Sequence, residues 1–162
     1  MPVGDLKDLY LHTLKDVYYA EKHILKALPK MAKKANNDQL RKAFEQHEKE
    51  TQGQVERLEK VFGMLNEKPK GDHCPAIEGL VEEAEELMGE IKDGETLDAA
   101  MIAAAQAVEH YEISRYGTLI AWSEQLNMKD AAKTLGETLN EEKQTDAKLT
   151  KMAESQVNKK AA

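Results

Sequence analysis

Apolar residues recur at spacings of three and four along almost the whole chain, and no stretch sustains the strict alternation of a half-buried strand. The spacing predicts four long helices and one short one, an all-α fold. Helix one is expected from about Gly4 to Ala35 on the stripe Leu6, Leu9, Val17, Ile24, Leu28, Met31. Pro29 falls late in it and should kink it, because the ring removes an N–H and crowds the carbonyl of Leu25. Asn36-Asn37-Asp38 is a turn and cap signal, after which helix two runs to about Asn66 on Leu40, Phe44, His47, Thr51, Val55, Leu58 and Phe62. So short a turn makes the pair an antiparallel hairpin.

The pattern then changes. EKPKGDHCP, residues 67–75, reads as a loop by its Pro and Gly, and IEGLVEEAEELMGEIKDG reads as a short amphipathic helix closed by Gly94. Helix three is expected from about Glu95 to Leu126 on Leu97, Met101, Ala105, Glu109, Glu112, Tyr116 and Leu119. Helix four follows Asn127-Met128-Lys129, from about Asp130 to Val157, on Leu135, Leu139, Glu142, Asp146, Leu149 and Met152. Two hairpins joined by one long crossover are the topology of ferritin-like bundles, though cytokine bundles also use long crossovers. The expectation is a single domain, residues 1–162, with the crossover loop and short helix at about 67–94. A shift of 91 residues lays Val17 on Val108, Glu21 on Glu112, Asn36 on Asn127, Glu50 on Glu141 and Leu58 on Leu149, which hints at pseudo-twofold symmetry between the hairpins.

Composition narrows the class. The 162 residues are 41% hydrophobic and 33% charged, enough for one soluble domain with a sizeable core. The net charge of −7, with both signs interleaved, argues against nucleic acid and anionic membrane surfaces as partners. The N-terminal stretch has no apolar signal region and no run is long enough to span a bilayer, so a cytoplasmic protein is expected. Cys74 is the single cysteine, which excludes an internal disulfide and fits a reducing compartment.

The candidate chemistry lies where polar residues interrupt the inner stripes. Glu21 borders the apolar face of helix one. His47 and Glu50 are three apart on helix two, as are Glu109 and Glu112 on helix three, while Glu142 and Asp146 are four apart on helix four. Each pair shares a helix face, and all lie near mid-helix, so an antiparallel arrangement can bring them to one level. Any one of these acids alone would read as a solvated surface residue. Six converging carboxylates would repel, and an unpaired buried charge costs several kcal/mol or is neutralised by protonation. Arg115 and Lys143 fall on flanking faces, so two divalent or trivalent metal ions fit better than an internal salt-bridge network. On helix four the internal shift favours Glu141 and the apolar stripe favours Glu142; Glu142 with Asp146 is the expected pair.

Tyr18, Tyr111 and Tyr116 lie within a turn or two of the acids and read first as aromatic packing, with hydrogen bonding to a ligand as the alternative. His110 is about 100° around the helix from Glu109 and reads as boundary or interface. His12, His23 and His73 read as surface, and Cys74 as an exposed loop thiol.

The sequence resembles the YciE/YciF-like ferritin-related proteins of bacteria, a group associated with stress responses. The resemblance is carried by DLYLHTLKDVYYAEKHILKALPKMAKKA, FEQHEKETQGQVERLEKVF, AVEHYEISRYGTLIAWSEQL and TLNEEKQTDAKL. It implies a ferritin-like four-helix bundle, a homodimer, and a dinuclear metal centre, usually iron. Carried over, the acidic positions fall on Glu21, Glu50, Glu109, Glu112 and the Glu142/Asp146 region, with His47 beside Glu50. The better-known di-iron pattern has Glu-x-x-His on two helices; here helix two reads HEKE and helix four has no histidine. A donor set rich in carboxylate favours hard ions, so manganese or mixed occupancy stands beside iron. The enzymatic expectation is oxidation of Fe(II) with reduction of dioxygen or peroxide. The competing expectation is a structural or interaction protein whose site is empty or adventitiously metallated, working through its acidic surface or the amphipathic residues 81–91.

Overall fold

A computed structural model describes residues 2–162, and it is helical with no strand among the described residues. Helices α1 (Leu6–Lys34), α2 (Asp38–Met64), α3 (Pro75–Glu90), α4 (Gly94–Gln125) and α5 (Lys129–Met152) follow in order. A π-helical turn, Ala153–Val157, and the short α6 (Asn158–Ala161) extend the last of them. The four long helices form a ring in which α1 packs on α2, α2 on α5, α5 on α4 and α4 on α1, with α3 lying against α4 and α1. Neighbours run antiparallel. The Tyr18 hydroxyl donates to Glu59 across α1/α2 and Gln106 donates to Thr150 across α4/α5. Ser123 donates to Tyr10 across α4/α1, and Arg57 to Thr138 across α2/α5.

The helix limits follow from local chemistry. Asp5, Asn37 and Asp93 each cap the helix after them by accepting from its first backbone N–H groups. At the ends of α2 and α4 the chain turns through Asn66 and Asn127, both at φ 57°, and the next N–H reaches back to Phe62 and Ser123 respectively. Asparagine tolerates this left-handed conformation better than most residues, so it closes these two helices as glycine commonly does. Pro29 does not break α1, which continues to Lys34. Gly94 does not close the short helix. That helix ends at Glu90, and Gly94 is the first residue of α4, where a Cβ would come within 2.9 Å of the Asn36 side chain. The close approach of α4 to the first hairpin turn explains the glycine.

Asp98, on the same first stretch of α4, is 2% exposed and accepts from the backbone N–H groups of Asn36 and Asn37, both at 2.8 Å. It thus clamps the α1–α2 turn to the other hairpin. Asp98→Ala removes a charged acceptor from two backbone donors and is expected to lower stability by about 3 kcal/mol in urea unfolding, with Asp98→Asn losing less.

Two apolar clusters fill the ring. One gathers Ile24, Leu28, Phe44, Met101, Ile77 and Leu149 at the end covered by α3; the other gathers Tyr10, Leu14, Leu58, Phe62, Leu119 and Leu135 at the opposite end. At the N-terminus the buried stripe is Tyr10, Thr13, Leu14 and Val17, while Leu6 and Leu9 are only half-buried. On α5 Thr138 takes the inward position next to Glu142, and Leu139 is half-buried. The polar residues of the stripes occupy the layer between the clusters.

Candidate metal centre

Glu21 comes from the middle of α1, His47 from α2, Glu109 and Glu112 from α4, and Glu142 from α5; none is more than 4% exposed. The 3.6-residue period that buries Ile24 and Val17 on α1 also buries Glu21, and the same holds for Glu112 between Ala105 and Tyr116 on α4. One ligand atom from each of His47, Glu109, Glu112 and Glu142 can lie within 4.8 Å of the others. His47 Nε2 is 2.8 Å from Glu109 Oε1, but neither ring nitrogen of His47 has an aligned hydrogen-bond partner. Both oxygens of Glu112 and one each of Glu21, Glu109 and Glu142 are likewise buried without a partner. Buried polar atoms are nearly always hydrogen-bonded, so this many convergent orphans in one layer need an explanation.

Some partners do hold the cluster. The Tyr116 hydroxyl donates to Glu21, and the Gln54 amide donates to Glu142 and, at 3.0 Å, to Glu141. Thr51 donates from Oγ1 to the His47 carbonyl at 2.8 Å, a bond within α2 that ties its own buried hydroxyl. Tyr116 therefore does more than pack, whereas Tyr18 bonds Glu59 and the Tyr111 hydroxyl lies 3.1 Å from Cys74 Sγ. Gln54 escaped the sequence reading. Its signal was position alone: it sits seven residues after His47 and three after Thr51 on the inner face of α2.

The remaining sequence candidates sort by position. Glu50 is on the rim, 30% exposed, with its Oε2 3.6 Å from His47 Nδ1 and within reach of Gln46 and Thr145. Asp146 lies outside the buried group and accepts from Gln106, with His110 Nε2 3.1 Å away. His110 is exposed, as expected of a boundary residue. Glu141 is turned from the cluster by a bidentate pair with Arg57 at 2.7 and 2.9 Å, so Glu142 is the inward acid of α5. The 91-residue shift matched Glu141 to Glu50, and both are indeed rim residues; Glu142 falls opposite Thr51. Cys74 is not exposed. It is 4% accessible because α3 starts at Pro75 and draws the end of the loop against α4.

Protonation offsets the crowding of acids. Burial, then the charge of Glu142, pushes Glu21 up to about 8 against the pull of the Tyr116 hydrogen bond and of the neighbouring Glu112 carboxyl, a donor once protonated. Burial also drives Glu109 and Glu112 well above the ordinary carboxylate range, with Glu142 adding to both. Burial would raise Glu142 too, yet the neighbouring carboxyls of Glu109 and Glu112, which can donate to it once protonated, and the charge of His47 hold it below its usual value. Burial would discharge His47, but its contacts with Glu109 and Glu50 raise it well above an ordinary imidazole. Without metal these shifts favour the protonated forms of Glu21, Glu109 and Glu112 and the charged forms of Glu142 and His47.

A family model described as a domain of unknown function, DUF892, matches residues 5–162. The chain belongs to the DUF892 family. It is 49% identical to protein YciF of Escherichia coli strain K12, over 99% of this chain and 98% of that protein. The crystal structure of the E. coli stress protein YciF, 49% identical, superposes with a TM-score of 0.91, covering 96% of this chain and 98% of that one. YcfI from Rhodopseudomonas palustris, described provisionally as a structural protein, is 54% identical, with a TM-score of 0.90 over 91% and 94% of the two chains. A Xanthomonas campestris protein shares the fold at 22% identity and a TM-score of 0.70, over 93% and 92%. The YciF-like resemblance read from the sequence is therefore correct. No helix among the described residues is long and apolar enough to cross a membrane.

Proposed function

We propose that this chain is a stress-associated, homodimeric, ferritin-like bundle protein whose buried layer holds two metal ions, with iron as the native metal and manganese or mixed occupancy as alternatives. The observation that carries this reading is the convergence of buried, unpartnered donor atoms from four helices in one layer. Carboxylate oxygens with one imidazole form a hard donor set suited to iron or manganese. His47, Glu109, Glu112 and Glu142 would hold one ion; Glu21, through its link to Glu112, and Glu50, beside His47, extend the set toward a second. Bound ferrous ions would supply one electron each to dioxygen or peroxide.

The chain's own part in this is to bind, orient and exclude. Glu21, Glu109 and Glu112 would release their protons as ions enter, so their carboxylates become available at neutral pH. Tyr116 fixes Glu21, and Gln54 fixes Glu142, by donating to one oxygen of each, which would leave the other oxygen available to an ion. Arg57 holds Glu141 and keeps a further acid out of the layer. The apolar clusters on either side keep water from the ligands.

Protein purified without chelators, or loaded anaerobically with Fe(II), is expected to carry close to two ions per chain, and oxygen or peroxide should then convert the iron rapidly to a species with a ferric absorption band. Failure to bind metal overturns the proposal; bound iron inert to both oxidants removes its enzymatic half. A second reading, a structural protein, is favoured by the provisional description of YcfI and by the layer's capacity to neutralise itself with protons. It predicts full stability without metal.

A further inference from the structure

Beside the buried layer, on the side that α3 covers, the helices leave a cavity of about 190 Å³. Ile24, Leu28, Met31, Phe44, Met88 and Leu149 give it apolar walls. Ala27, Ala43, Ala84 and Ala104, one from each of α1, α2, α3 and α4, supply the space by ending at Cβ where larger side chains would fill it. The deep end is polar. His47 and Glu109 form it, with Glu50 and Thr145 beside them, and the unpartnered nitrogens of His47 belong to a ring only 4% exposed. Lys30, paired with Glu85 at 3.0 Å, and Lys148 stand among the more exposed residues of the rim.

Water is a poor occupant for most of this volume, since a buried water needs two to four polar partners and the alanine and leucine walls offer none. An engineered apolar cavity of about 150 Å³ in another protein stays dry and admits benzene, so the present volume suits about seven or eight non-hydrogen atoms. Ligand sites of this kind pair an apolar wall with a few placed polar groups that set orientation. At the deep end the buried ring nitrogens of His47 and the carboxyl of Glu109 offer hydrogen bonds to a single neutral oxygen of an occupant.

We propose that this cavity binds a small neutral hydrophobe, an alkyl chain or single ring of about seven or eight non-hydrogen atoms, with its one hydroxyl or carbonyl oxygen against His47 and Glu109. Binding as such does not depend on metal. That the bound molecule represents the substrate class of the buried centre rests on the dinuclear reading above, because its oxygen lies against two of the residues assigned there as ligands.

Titration calorimetry of the full chain with 1-heptanol and with 4-methylphenol, each in chelator-treated and metal-loaded protein, tests the site. Saturable one-to-one binding is expected with a Kd of about 0.1–1 mM. Ala104→Leu and Ala27→Leu add bulk to the walls at positions that are not themselves assigned as ligands. Each is expected to weaken heptanol binding at least tenfold while melting cooperatively and holding the same metal content as the parent. No saturable binding of either probe to the parent overturns the proposal, as does binding unchanged in both folded leucine variants. Probe binding in protein that takes up no metal supports this site while overturning the metal reading, and metal uptake without probe binding does the reverse.

Discussion

Metal-free protein is expected to lose stability continuously as pH rises from about 4.5 to 8. The sign follows from Glu21, whose pKa stands at about 8 in the folded protein against 4.5 for an ordinary glutamate. Between those values the unfolded chain has released this proton and the folded chain still holds it, so each rise in pH favours unfolding. Glu109 and Glu112, also raised well above 4.5, act in the same direction, and raised His47 joins them above its ordinary 6.5. Each proton retained only by the folded state contributes a slope of about 1.4 kcal/mol per pH unit. Glu142 and Glu50, both lowered, oppose this only below 4.5, where their contribution is lost on acidification. Urea midpoints measured in chelator at intervals from pH 5 to 8 should fall throughout, a loss of several kcal/mol in all. Metal-loaded protein should show the opposite trend, because uptake displaces protons and tightens as pH rises. A flat chelator profile would mean that the buried acids are not held protonated.

Replacing Glu112 by glutamine should invert its effect according to whether metal is present. Glu112 is fully buried, has no hydrogen-bond partner for either oxygen, and is pushed up by burial and by the charges of Glu142 and Glu21. Glutamine has nearly the same shape, no proton to retain, and two N–H donors that Glu142 and Glu21 can accept. Without metal, Glu112→Gln should therefore be more stable than the parent at pH 8, with a shallower pH profile. With metal the order reverses, since the variant lacks a carboxylate central to the proposed site and should lose stoichiometric uptake together with the stabilisation that uptake gives. Denaturation of both proteins in chelator and in anaerobic Fe(II) checks the crossing. A variant that is stabilised under both conditions would leave Glu112 as an uncompensated buried acid with no metal role.

The helices were legible because hydrophobic periodicity is a local property: α1, α2 and α4 begin and end within a few residues of their expected limits. Errors came where distant residues decide the outcome. Gly94 looks like a helix stop in isolation, but it is glycine because Asn36 approaches it from the other hairpin. Cys74 looks exposed in a loop rich in Pro and Gly, but Tyr111 of α4 receives it. Among the acids, the stripe rule selected Glu142 correctly as the inward residue, while the internal repeat pointed to Glu141, which Arg57 holds at the rim. Asp146 obeyed the stripe rule and still lies outside the buried group, because the Gln106 side chain, with His110 nearby, draws it to the α4/α5 edge.

By itself the sequence determined that the chain is all-helical, that two hairpins are joined by a crossover, and that glutamates and a histidine take positions the helix period reserves for the core. These follow from which residues share a helix face, which spacing alone prescribes. The tertiary structure decided which of those residues meet, what neutralises them, and that an apolar cavity opens onto His47 and Glu109. Each of these depends on the rotation and depth at which one helix packs on another, and that is set by contacts between residues tens of positions apart.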